Sequence, residues 1–107
     1  MLNHNQTEKL KQNWGEKAES MSCRAEVRLY DPKSPWQSYI YAMNPENEDE
    51  LMCITKAFKE DSAITEYTSM KYLLGCFNQD GEGLEVDQEY RPRRAAELFK
   101  KLNEGIL

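Results

Sequence analysis

Between Ala25 and Ala42 the chain spells out two strands and the break between them, and that pattern limits what the rest can become. Ala25, Val27 and Leu29 alternate with Glu26, Arg28 and Tyr30, the period of two expected of a strand with one buried face. Asp31-Pro32-Lys33-Ser34-Pro35 ends that run, because two prolines remove two backbone donors and push their neighbours out of helical geometry. The second strand therefore restarts at Trp36, with Trp36, Ser38, Ile40 and Ala42 on one side and Gln37, Tyr39, Tyr41 and Met43 on the other. Consecutive strands joined by so short a connection are antiparallel.

The flanking sequence supplies the partners of that pair. Asn5-x-x-Glu8 fits a capping box and predicts a helix from about Gln6 to Trp14, with Leu10 and Trp14 on one face and Gly15 as its stop. Glu16 to Ser22 is polar and reads as helical extension or loop. After Asn44-Pro45, the acidic residues Glu46, Glu48, Asp49 and Glu50 predict a solvated turn. Leu51 to Lys56 has apolar residues of both parities, as a central strand requires, and Ile64 to Thr68 is a fourth strand rich in β-formers. Thr68 or Ser69 can cap a helix carrying Met70, Leu73, Leu74 and Phe77 on one stripe. Residues 78–83 compose a turn, Leu84 to Asp87 a short strand, and Pro92 the first position of a last helix reaching about Asn103. The fold class is α+β: a small antiparallel sheet of four to five strands with two to three helices packed on one face. It forms a single domain over 1–107, with an N-terminal helix and polar segment over 1–22 and the sheet with two helices over 23–107.

A chain of 107 residues has room for one core, burying roughly two-thirds of the surface it exposes when unfolded. No apolar run approaches the ~20 residues that span a bilayer, and Asn3, His4, Asn5 and Gln6 are too polar for a secretory signal, so a cytoplasmic protein without a membrane partner is expected. Cys23, Cys53 and Cys76 are widely spaced and never form Cys-x-x-Cys, which favours free thiols over a disulfide framework or zinc site. A net charge of −5 opposes a non-specific grip on nucleic acid and favours a protein partner with a basic surface.

The chemical inventory is short. His4 is the single histidine and sits near a terminus, which removes nucleophile–histidine pairs and histidine-bearing metal motifs. Cys76, Asn78, Asp80, Gly81 and Asp87 echo a calcium loop with sulfur where oxygen belongs, so no metal or cofactor is expected. Glu85 and Asp87 share a strand face, and with Glu66 they could hold magnesium for a nuclease; the plainer reading is that they balance Arg91, Arg93 and Arg94. Those three arginines stand at the predicted start of the last helix, against its dipole, and so form a candidate anion site. Tyr39 and Tyr41 share a face and are candidate interface anchors beside the acidic residues Glu46, Glu48, Asp49 and Glu50.

The runs Ala25-Glu26-Val27-Arg28-Leu29-Tyr30-Asp31-Pro32, Ser34-Pro35-Trp36-Gln37-Ser38-Tyr39, Glu66-Tyr67-Thr68-Ser69-Met70-Lys71-Tyr72-Leu73 and Leu84-Glu85-Val86-Asp87-Gln88-Glu89-Tyr90-Arg91-Pro92 occur in that order. Their succession resembles a small domain family of unknown function carried by bacterial plasmids, integrating elements and phages. The shared pattern is a strand, a Pro-x-x-x-Trp step, an aromatic strand, a Ser-capped helix and a late acidic residue before proline. The glycine and aromatic residues of its third and fourth strands are replaced here by Leu51-Met52-Cys53-Ile54 and Ala63-Ile64. The resemblance implies a mobile-element accessory protein and no particular reaction. The expected function is a non-catalytic, acidic interaction protein, monomer or homodimer, that occupies a basic surface of a host nucleic-acid-handling or defence protein. A carboxylate-based nuclease and a nucleic-acid-binding module are the alternatives.

Overall fold

The computed structural model describes residues 2–75 and 83–106. Phe77, the turn residues 78–82 and most of the calcium-like pattern from Cys76 lie outside the described residues. In chain order the elements are α1 (His4–Asn13), α2 (Glu16–Glu19), β1 (Arg24–Ala25), β2 (Val27–Tyr30), β3 (Gln37–Asn44), β4 (Asn47–Lys56), β5 (Ile64–Ser69), α3 (Met70–Gly75), β6 (Glu85–Val86), β7 (Arg93–Arg94) and α4 (Ala95–Asn103). Five strands form one antiparallel sheet in the order β5-β4-β3-β2-β6, and β1 and β7 pair as a separate two-stranded ribbon. Among the described residues no helix is long and apolar enough to cross a membrane.

The α+β class and the antiparallel sheet match the sequence reading. The helices, four among the described residues, lie on both faces of the sheet rather than on one. Tyr39 and Ile54 point to the side covered by Ala95, Leu98 and Leu102 of α4 and Ala18 of α2. Their neighbours Ile40 and Cys53 point to the side closed by Leu73 of α3, Leu10 of α1 and Leu84. Central strands with apolar residues of both parities need cover on both faces, so a one-sided layer would have left half of β3 and β4 wet.

A bulge explains how β3 serves both sides. Ile40 pairs with Cys53 and Ala42 with Met52, leaving Tyr41 as the extra residue. Parity therefore changes at Tyr41: Ala42 joins the side of Tyr39, and Met43 the side of Ile40. The first strand also departs from simple alternation. The chain turns at Glu26, so Ala25 enters the α4 side through the ribbon while Val27 and Leu29 enter the other.

Element ends follow local hydrogen bonding. α1 starts two residues earlier than its sequence signal, because Asn3 accepts from the Gln6 amide at 2.8 Å and Gln6 answers at 3.0 Å, a capping box with the same spacing as Asn5-x-x-Glu8. The acidic run expected as a turn is mostly the first half of β4, since the hairpin closes tightly through Asn44↔Asn47. Pro92 does not open the last helix: Arg93 and Arg94 first pair with β1, and α4 begins at Ala95, whose amide donates to the Cys23 carbonyl at 2.8 Å. Beyond Ile40, where β2 has ended, α1 packs along β3 and Asn13 Nδ2 donates to the Tyr41 carbonyl at 2.9 Å, satisfying an edge acceptor. Lys56 is buried, and its ammonium donates to the Leu102 carbonyl near the end of α4 at 2.9 Å, where a cation suits the helix dipole.

Candidate functional site

The tyrosine docking face expected from the sequence is corrected by the packing: Tyr39 and Tyr41 are 4% and 1% exposed. They do share a side, but that side is the one roofed by α4. The Tyr39 hydroxyl donates to Gln37 and accepts from Arg28 Nε, and its ring lies 5.7 Å from that of Tyr90. Desolvation pushes the Tyr41 hydroxyl up to about 12, so it stays neutral in the core.

The four acidic residues of the β3–β4 hairpin divide into two pairs. Asp49 accepts from Ser69 Oγ at 2.7 Å and from the Lys71 amide at 2.9 Å, and these bonds hold its carboxyl below the usual carboxylate range. It thereby ties the hairpin to the start of α3. Glu50 accepts from Asn44 Nδ2 at 2.7 Å across the hairpin. Glu46 and Glu48, by contrast, stand exposed; Glu48 meets Lys11 Nζ at 2.6 Å with 63% of its side chain in water. An ion pair so exposed is worth little and yields easily to another cation.

Arg91, Arg93 and Arg94 are all exposed, and the structure adds Arg24 to them. Register places Arg24 directly opposite Arg94, and both line an open depression of about 440 Å³ with Pro92, Arg93, Glu97 and Lys101. Like charges across a strand pair repel. Asp87, expected to offset them, instead bonds Arg28 Nη1 at 2.9 Å. Among the described residues a carboxylate that offsets them is Glu97, held below its ordinary value first by its hydrogen bond to Lys101 and also by Arg93 and Arg94.

The three carboxylates of the nuclease reading do not converge. Glu66 lies on β5 and Glu85 on β6, opposite edges of a five-stranded sheet, four strand spacings or roughly 19 Å apart. Asp87 adjoins β6 and belongs to Arg28. Among the described residues no three His, Cys, Asp or Glu side chains are placed to hold a metal. Cys23 and Cys53 are buried free thiols, raised by desolvation.

Sequence reasoning missed a cleft beside β5. It measures about 340 Å³ and is lined by Trp36, Thr55, Ala57, Asp61, Ser62, Ile64 and Glu66. Trp36 Nε1 donates to Ser38 Oγ at 3.0 Å, Ser38 Oγ meets Thr55 Oγ1 at 2.9 Å, and Thr55 Oγ1 reaches Glu66 Oε1 at 2.9 Å. An indole N–H only donates and a carboxylate only accepts, so the two hydroxyls must donate in series toward Glu66. Ser38 and Thr55 are 0% and 3% exposed, so the series is a fixed strut for the carboxylate. The signal was present in the sequence: Ser38 lies between Trp36 and Ile40 at an inward parity position, and a polar residue there needs a buried partner. Comparison of the chain with protein-family models, with curated proteins and with solved structures returned no match.

Proposed function

We propose that this protein is a non-catalytic interaction module of a mobile genetic element, which docks on a basic surface of a host protein that handles nucleic acid or acts in defence. The setting comes from the sequence resemblance, and the mode of action from charge placement. One observation carries it: the β3–β4 hairpin presents Glu46 and Glu48 in solvent while Asp49 and Glu50 anchor its base. Two solvent-facing carboxylates on a hairpin anchored at its base suit steering and docking, which strengthen at low salt. The test is the double variant Glu46→Gln/Glu48→Gln, compared with the parent chain against each partner recovered from host lysate. Binding about tenfold weaker at low ionic strength, with the difference shrinking as salt rises, is expected; equal binding of every partner would remove the hairpin from the mechanism.

A second reading, contact with nucleic acid, is favoured by Arg24, Arg93, Arg94 and Lys101 meeting around one depression. Fluorescence anisotropy with single- and double-stranded oligonucleotides at low salt decides it. Binding that Arg93→Gln/Arg94→Gln abolishes would support this reading, and a flat titration would end it.

A further inference from the structure

The bare edge of the sheet and the cleft beside it form one surface. β5 pairs with β4 on one side and, among the described residues, with no strand on the other. In an antiparallel strand of six residues, about three turn their N–H and C=O groups outward, so that edge offers a row of unused donors and acceptors. Its sequence, Ile64-Thr65-Glu66-Tyr67-Thr68-Ser69, contains no proline, lysine or bulge, the devices that guard such edges. Ile64 and Tyr67 on it are 52% and 65% exposed.

We infer that this edge takes an extended basic segment of the partner as a sixth strand, with an arginine or lysine side chain entering the cleft between Glu66 and Asp61. The inference rests on the proposed docking to a basic protein and names a second point of attachment for it. Strand addition derives affinity from main-chain bonds and specificity from pockets that receive alternate side chains. The cleft is such a pocket: it lies on the side toward which Glu66 projects, and the hydroxyl series occupies Oε1 while Oε2 and the Asp61 carboxylate have no partner among the described residues. Two carboxylates, one of them held in place, select a cation. A second copy of this chain fits poorly. In antiparallel pairing of β5 with itself, residues of like parity face each other, so Glu66 would meet Ile64, Glu66 or Thr68 and never a cation.

The test is a titration of the full chain with three synthetic probes, read by amide resonances. They are the peptide Thr-Arg-Val-Arg-Thr-Val, its glutamine counterpart Thr-Gln-Val-Gln-Thr-Val, and the arginine peptide N-methylated at alternate amides. Shifts confined to residues 64–69 and the Trp36 indole N–H are expected. The glutamine peptide should bind at least tenfold more weakly, and N-methylation should abolish binding. Glu66→Gln and Asp61→Asn, checked for unchanged melting, should each weaken the arginine peptide about fivefold or more, and Glu46→Gln/Glu48→Gln should stay within twofold. Equal affinity for the arginine and glutamine peptides, shifts mapping away from β5, or concentration-dependent protection of the β5 amides by self-association would each overturn the edge site. The two readings fail separately: peptide binding lost only in the hairpin variant sinks the edge site alone. A host partner indifferent to the hairpin variant but weakened by Glu66→Gln supports the edge site and removes the hairpin.

Discussion

β6 and β5 close the same sheet at opposite ends, one with two residues tied back to β2 and the other with six whose outer side pairs with no strand among the described residues. At the β6 end, Asp87 donates its amide to the Arg28 carbonyl at 2.9 Å and receives Arg28 Nη1 on its carboxylate at 2.9 Å. Arg28 in turn lies over the rings of Tyr30 and Tyr39. Even the flank of β3 is covered, by α1 and the Asn13 amide. Among the described residues β5 is the edge that shows six residues of backbone without proline, lysine or bulge, with two large apolar side chains in water. The open side of β5 is thus where the proposed sixth strand would add.

Four expectations press on that contrast. The largest concerns what both edges share: Ile54→Ala, fully buried at the centre of β4, should cost about 2–5 kcal/mol in urea denaturation. It should loosen β5 and β6 together in hydrogen exchange; loss at one edge only would mean that they belong to different cooperative units. Asp87→Ala should cost about 1–2 kcal/mol, because it leaves the Arg28 guanidinium half-buried without its carboxylate. Exchange should quicken at Glu85 and Val86 while β5 keeps its protection, and equal quickening at both ends would erase the distinction between them.

A smaller effect is tied to pH. The Asp49 carboxyl is held below its ordinary value by Ser69 and Lys71, so its contribution is present above the unfolded value of about 3.9 and is lost as pH falls through the folded value. Acid titration of stability should therefore be shallower for Asp49→Asn than for the parent chain, the far end of β5 having lost its tether. An identical acid limb in the two proteins would show that the tether carries no weight. Least of all, Thr65→Lys on the exposed edge should move stability by no more than about 0.5 kcal/mol, yet weaken the arginine peptide by placing a guard on the strand.

Strand content was readable because Val27 to Tyr30, Gln37 to Asn44 and Ile64 to Ser69 alternate or carry β-formers. What escaped was set by contacts distant in sequence. Nothing local distinguishes Asn3 from Asn5 as the cap, and the two-residue strand Arg93–Arg94 exists only because Arg24 and Ala25 lie alongside. Alternation correctly placed Tyr39 and Tyr41 together, but it reports which side a residue faces and not what covers that side; α4, from the far end of the chain, decides it. Glu48, Asp49 and Glu50 read as a solvated turn because their partners Lys11, Ser69 and Asn44 are brought by folding. The cleft was half legible: Ser38 was seen on the inner side of its strand, whereas its meeting with Thr55 and Glu66 depends on the β3–β4–β5 register.

The extra residue at Tyr41 has one more implication. By changing parity midway, β3 contributes both to the layer against which Trp14 packs and to the layer against which Trp36 packs. Two half-buried indoles on opposite sides of the sheet thus report on the two layers, and in a two-state unfolding both should change emission at a single temperature.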